Sequence, residues 1–525
     1  MNVEPINTGQ KVQLFFDNHV IEMAHFLTRE MHTPRKCPQN PLVKQDKPWE
    51  GVLFFRTNTF NVHWDDQEKL FKLWYEDLDW DYEAFAGRAK GAGDNDVVRP
   101  GWHETTHSHY LYAESEDGIT WRKPGLDTCE VNGEKTNICL GSRQSGQVVH
   151  ACTVILDPLE QDKSKCFKAL YWAEGGDIEW GRLTAAYSAD GRTWTPYEQL
   201  PSVGEHTGHV TGDVIIMTAD QETGEYWLDT RDRAMCERFL NPKNPGTRGW
   251  GFPFYPDDPM RIVKRRIYTT VSDSILAWPS LREMLVPDDA EDNIDDEFYG
   301  LTRFRMGDLF VGFLVQHKRT YNTQEIQLVY SRDGFNWQRA GKRQPFLGLG
   351  GEGDWDQFMV ETCTQPIRVG DELRIYYAGA NLHHDWWMFG EEEGLDVPEA
   401  RAGWNGGETA LGLATLRPEG FVSLDADARD GILVTRPFVS DGTELIVNVA
   451  CGEKGYFEVE LADANDDVVP GYERSACERF TGDAVELVVK WNGQSKLPRE
   501  VLARGAKLRF FYRYAEFYSY RMVNR

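Results

Sequence analysis

"SRDGFNWQ", residues 331–338, sets an acidic turn against a tryptophan, and three close variants of it stand upstream: "SEDGITW" at 115–121, "SADGRTW" at 188–194 and "SDSILAW" at 272–278. Each follows a strand-like run: "YLYAE", "LTAAY", "RIYTTV" and "IQLVY". Asp and Gly favour a tight turn, and the Trp beyond it is placed to pack back between neighbouring sheets. The irregular interval between copies suits a repeated strand module with variable loops better than a tight solenoid. Upstream of each phrase lie two strand-like runs joined by a short polar hairpin, as in "DVIIMTADQETGEYWLDTR" and "FYGLTRFRMGDLFVGFLVQ". A fifth such pair, "FMVETCTQPIRVGDELRIYYAGA", is followed by a degenerate turn phrase, "RPEGFVSL". Five modules of four strands predict an all-β chain built on a five-bladed β-propeller.

The turn phrase stops near residue 425. Beyond it, short alternating runs such as "LIVNVACGEKGYFEVELADANDDVVPGY" and "KLRFFYRYAEFYSY" predict a C-terminal β-sandwich over 426–525, with the propeller over 1–425. The N-terminal "KVQLFFDNHVIE" is expected to add a closing strand to the propeller. A length of 525 residues fits one large domain and one smaller one.

A formal net charge of −27 argues against nucleic acid or an anionic membrane surface as partner. No apolar run reaches the roughly 20 residues of a membrane helix, and "MNVEPINTGQ" lacks the pattern of a signal peptide, so a cytoplasmic location is expected. Nine cysteines without CxxC pairs read as reduced thiols. Eighteen Trp, 21 Tyr and 27 Phe suit strands and sugar-stacking surfaces alike.

Topology then predicts where chemistry sits. In a propeller of this connectivity the long second-to-third loops share one face, and they are rich in Trp, Asp, Glu, Arg and His. The first strand of each blade begins on that face. The residues opening those strands are Glu50 ("PWEG"), His150 ("VVHAC"), Asp213 ("TGDV"), Glu297 ("DDEFYG"), and Asp356 or Glu361 ("DWDQFMVET"). Carboxylates gathered at one point repel and move each other's pKa values apart, the arrangement that glycosidic cleavage uses. Glu297 is expected to be the general acid, desolvated by Phe298 and Tyr299; Asp213 the base or nucleophile; Glu50 the stabiliser of the transition state. His150, Arg231, Asp356, Glu361, His383 and Trp386 (the last two in "HHDWW") are expected to bind substrate, His150 by donating to a sugar hydroxyl or, alternatively, by replacing the acid. "HETTH", 103–107, matches the zinc-protease HExxH, but Pro100, Gly101 and two central Thr oppose the helix that motif needs, so His107 is read as a binding residue. The acidic run 288–297 leaves a structural calcium site open as an alternative that no EF-hand spacing supports, and no cofactor is expected.

The SxDGxxW turns, the acids opening inner strands and the trailing β-rich segment resemble the five-bladed propeller glycoside hydrolases. The architecture is most similar to family 32, the invertases and fructanases, with families 43, 117 and 130 as relatives in fold. That resemblance implies an Asp nucleophile in the first blade, a stabilising Asp in the second and a Glu acid/base. Here "PWEG" puts Glu50 near the first position without the Asp-Pro-Asn, His150 stands where the second-blade Asp would be, and Asp213 stands where a Glu would be expected. The expected function is an exo-acting glycoside hydrolase on an oligosaccharide. A phosphorylase of the same fold, with "TRDR", "HKR" and "NLHH" as phosphate ligands, and a noncatalytic carbohydrate-binding propeller are the alternatives. The oligomeric state is left open.

Overall fold

The computed structural model describes residues 4–80, 106–141, 148–175, 178–207, 214–234, 264–288, 290–293, 295–319, 321–384 and 409–525. Among them the chain is nearly all β, and the one α-helix is the six-residue Arg499–Arg504. Among the described residues no helix is long and apolar enough to cross a membrane.

The repeats fold as antiparallel sheets. The first contains Phe60–Asp65, Leu70–Trp80, Thr106–Ser115 and Ile138–Leu140; the second Val148–Leu156, Phe167–Gly175, Ile178–Ser188 and Thr195–Pro196. The third contains Ile215–Ala219, Tyr226–Ala234, Lys264–Ser272 and Arg282–Leu285. A fourth group, Asp296–Met306, Leu309–Lys318, Thr323–Ser331 and Trp337–Arg339, joins a fifth, Met359–Glu361, Glu372–Ala380 and Thr409–Leu416, through one parallel pairing of Gln324 with Met359. Arg35–Lys36 completes the fifth group as its outer strand. "LFVGFLVQH" is buried at every position, as expected of a strand covered on both faces.

Hydrogen bonds link the first strands in a cycle. Val154 N donates to Asn61 Oδ1 (2.7 Å), Met217 N to Thr153 Oγ1 (3.1 Å), Thr218 Oγ1 to Arg303 O (3.4 Å), Thr302 Oγ1 to Thr362 O (3.0 Å) and Thr364 Oγ1 to Val62 O (2.8 Å). The repeated turns supply a second set of contacts, each reaching the preceding sheet. Gly191 of the second sheet lies against Trp74 of the first, whose indole N–H donates to Gly191 O at 2.6 Å. Gly118 of the first receives Tyr376 of the fifth, whose hydroxyl donates to Gly118 O at 2.9 Å. Gly334 of the fourth meets Trp227 of the third. A Cβ at 191 would come within 2.4 Å of Trp74 and would sit at φ +74°, so the turn needs glycine for both space and backbone. The recurring phrase therefore encodes packing between sheets as much as a turn.

The C-terminal segment forms one ten-stranded sheet, rather than two separate ones, and recruits the N-terminus. Its longest strands, Glu444–Asp463 and Ala506–Val523, pair along most of their length. Phe510 and Phe517 of the same strand meet at 4.7 Å between ring centroids, whereas seven residues of straight strand span about 23 Å. The strand therefore bends, at Tyr514 with φ +45°, and the sheet folds over a core containing Phe457, Trp491, Phe510 and Phe517. The expectation that residues 11–22 close the propeller is corrected. Gln13–Leu14 pairs with Tyr520 and Ser519, and Ile21–His25 with residues 432–435. The apolar residues of that stretch pack on both bodies, Phe15 against Phe517 and Phe16 against Tyr330, which is why the alternation alone did not reveal which sheet it joins.

Candidate active site

In each antiparallel sheet the second strand ends, and the third begins, at the end where the first strand starts. His150, Glu297 and Glu361 open or border first strands at that end. Arg231 and Arg265 flank the connection of the third sheet, His317 and Arg319 that of the fourth, and His383 and His384 border that of the fifth.

Three carboxylates here are wholly buried. Glu361 accepts from Thr57 Oγ1, and Arg56 Nη1 lies 3.6 Å from its Oε1. With the Gln324 amide oriented so that its nitrogen faces Glu361, it donates to both carboxylate oxygens, 3.2 Å to Oε2, while its oxygen accepts from His317 Nδ1 at 3.1 Å. His317 packs edge-on to His384 at 4.6 Å, and His384 Nε2 lies 2.7 Å from Tyr299 OH. Arg231 sits 3.9 Å over the Tyr299 ring and donates to its hydroxyl at 3.0 Å. Beyond Tyr299, Glu297 is clamped by Arg265 Nη1 at 2.5 Å and Arg319 Nη1 at 2.9 Å. On the other side of Glu361, Arg56 lies 5.3 Å from the Phe54 ring, whose centroid is 6.5 Å from that of His150. His150 Nδ1 donates to Glu76 Oε1 at 2.6 Å. A continuous array of side chains thus runs from Glu76 to Glu297.

The expected protonated acid at Glu297 is corrected. Burial alone would raise its pKa, but Arg265 and Arg319 outweigh burial, with His317 adding to them, and hold it at about 2. The aromatic neighbours were legible in sequence; the two guanidiniums, one 32 and one 22 residues away, were not.

Glu50 is not brought into this array. Its buried carboxylate accepts from Asp46 N, Lys47 N and Tyr75 OH and pairs with Lys123 at 2.6 Å. Asp356 likewise serves the fifth sheet, pairing with Lys36 at 2.6 Å and accepting from Tyr377 OH at 2.9 Å. His383 stacks on Phe358 at 3.8 Å. His107 lies in the strand Thr106–Ser115. Asp213 and Trp386 lie outside the described residues, Asp213 immediately before Val214 at the start of the third sheet. Among the described residues no group of three or more His, Cys, Asp and Glu is arranged to hold a metal ion.

Glu76, Arg56, Gln324 and Arg265 escaped the sequence reading. Glu76 had one available signal: in "KLWYEDL" an acid interrupts an apolar strand, and a buried acid needs partners.

No protein-family model and no curated protein matches the chain. Solved structures similar to it include a β-1,2-mannobiose phosphorylase from Listeria innocua in complex with β-1,2-mannobiose, at 12% identity and TM-score 0.45, covering 73% of this chain and 96% of that one. Another is an N-acetylgalactosamine deacetylase from F. plautii in complex with blood group B trisaccharide, at 13% identity and TM-score 0.43, covering 74% and 95%. A third, named a glycoside hydrolase, is 11% identical with a TM-score of 0.42, covering 73% and 92%. Likenesses at this level carry no argument about the reaction, which has to come from the site.

Proposed function

We propose that the chain is a carbohydrate-active enzyme that cleaves a glycosidic bond, by exo-acting hydrolysis of an oligosaccharide, at the long-connection end of a five-bladed β-propeller of family 32-like architecture. The observation carrying this reading is the convergence of buried carboxylates from separate sheets, Glu76, Glu297 and Glu361, with imidazoles and guanidiniums between them. Cleavage of a glycoside calls for two carboxyl groups flanking the bond, one giving a proton and one acting as base or nucleophile. Glu297 is fixed as a carboxylate by its arginines, so it serves as anchor for them. Asp213, which directly precedes Val214 in the sequence, and Glu361 of the fifth sheet take the carboxyl roles of proton donor and nucleophile.

A second reading, phosphorolysis, is favoured by the four arginines in the array, Arg56, Arg231, Arg265 and Arg319, since guanidiniums suit a phosphate co-substrate. Both are tested by turnover of aryl glycosides and natural oligosaccharides, with and without inorganic phosphate, in the wild type, Asp213→Asn and Glu361→Gln. Turnover is expected in the wild type and should fall by about a hundredfold or more in both variants with the fold retained. Dependence on phosphate would select phosphorolysis. Undiminished turnover in both variants, or none from the wild type across the panel, would overturn the reading.

A further inference from the structure

We propose that His150 is the proton-accepting group of this site and that Glu76 is the positioning residue that aims it. The inference rests on the glycoside-cleaving reading for its substrate, though not for its geometry.

Its first support is backbone conformation. Along the strand Val148–Leu156 the register against the neighbouring strand pairs His150 with Trp172 and then Thr153 with Leu170, so three steps on one side face two on the other. The additional residue makes a bulge. Within it Ala151, wholly buried, adopts φ +54°. A left-handed alanine inside a strand is strained, and a bulge of this kind re-aims the side chain beside it.

The second support is the carboxylate that the bulge reaches. Ala151 N donates to Glu76 Oε2 at 3.2 Å, Tyr110 OH donates to the same oxygen at 3.2 Å, and Oε1 accepts from Ser108 Oγ as well as from His150 Nδ1. Four donors thus occupy the two oxygens of this carboxylate. The Nδ1–H bond fixes the imidazole tautomer, making Nε2 the accepting nitrogen. Glu76 has no exposure, whereas the His150 side chain is 23% exposed, so the pair presents the imidazole to the site and hides its anion.

A tie between the first two sheets would not need this arrangement. Val154 N donates to Asn61 Oδ1 at 2.7 Å and joins the same two sheets from outside the bulge. The strained turn is accounted for by where it points His150.

The step assigned is a proton transfer. An O–H of the bound sugar or of the attacking water gives its proton to the Nε2 lone pair, the O–H electron pair stays on oxygen, and the imidazolium formed is balanced by Glu76. Among the described residues, the titratable groups around His150 include Glu76 and Asp77 of one strand, His109 and Tyr110 of the next, Cys152 on its own, and Arg56 beyond Phe54.

The test uses the full chain with ring-15N histidine, the His150 resonances being identified by their loss in His150→Asn, together with the pH profile of kcat/KM on whichever panel substrate turns over. In the wild type His150 should carry its proton on Nδ1 when neutral. Glu76→Gln keeps the shape and removes the charge, so the His150 titration and the acidic limb of kcat/KM should both move to lower pH, by about one unit or more and by the same amount. Should Glu76→Gln fail to fold, His150→Gln must still lose about a hundredfold in kcat/KM. A neutral His150 protonated on Nε2, an acidic limb that stays in place, or full activity in His150→Gln would overturn the role of His150. Absence of turnover in the wild type would instead overturn the glycoside reading and the substrate with it.

Discussion

At the turn end of the ring, Asp117 accepts from Ile119 N at 2.8 Å and Thr120 N at 2.7 Å, and Asp333 from Phe335 N and Asn336 N at the same distances. At the long-connection end, Glu361 meets Thr57 across 304 residues of sequence and Glu76 meets His150 across 74. Asp117, Asp333 and Glu297 are all held at about 2, burial being outweighed at the turns by backbone N–H donors and at Glu297 by guanidiniums. Equal pKa values thus hide different energetics. The turn acids are solvated and their loss is local, whereas Glu297 is wholly enclosed and balances two buried cations.

The sharpest way to break this contrast is to remove the enclosed charge. Glu297→Gln leaves Arg265 and Arg319 uncompensated and should cost about 3–5 kcal/mol in stability, read as a lower urea midpoint. An unchanged midpoint would mean that the cluster is already relaxed by water or by other partners.

The same group predicts an acid limb. Its pKa is depressed from 4.5 to about 2, so its contribution is complete above pH 4.5 and disappears as pH falls towards 2. For a group this buried, the loss is of order 3 kcal/mol. The wild type should therefore lose stability between pH 4.5 and 2 more steeply than Glu297→Gln, and parallel curves would remove Glu297 from the account of acid sensitivity.

A smaller effect tests the packing carried by the turns. Gly191→Ala combines φ +74° with a Cβ only 2.4 Å from Trp74, and should cost about 2–3 kcal/mol. Gly224→Ala, at φ +77° with its nearest contact at 3.9 Å, carries the strain alone and should cost about 1 kcal/mol. Equal losses in thermal denaturation would show that contact with the neighbouring sheet adds nothing.

This contrast also explains what could be read from the sequence. The turns were visible because donor and acceptor lie within three residues of each other, and the strand periodicity around them gave the modules and the end at which long loops gather. The side chains at that end come from different sheets, and nothing in "PWEG" distinguishes a glutamate bound for Lys123 from one bound for a site. Burial of an acid was legible at Glu76; its imidazole partner was not, because the pairing depends on a bulge at Ala151 that no local rule for alanine foretells.

The smallest effect belongs to the turn acid itself, and the third repeat already contains its control. There Ser274 stands where Asp333 stands in the fourth, and its hydroxyl accepts from Leu276 N at 3.2 Å as Asp333 accepts from Phe335 N. Trp278 Nε1 donates to Ile275 O at 2.9 Å just as Trp337 Nε1 donates to Gly334 O at 3.0 Å, so the indole locks the turn whether or not an acid is present. Asp333→Ala should then cost about 1 kcal/mol, the net worth of an exposed hydrogen-bonded turn, and Asp333→Ser about half of that. A loss from Asp333→Ala matching that of Glu297→Gln, measured in the same denaturation series, would show that the turn carries the ring as heavily as the buried cluster does and would erase the distinction between the two ends.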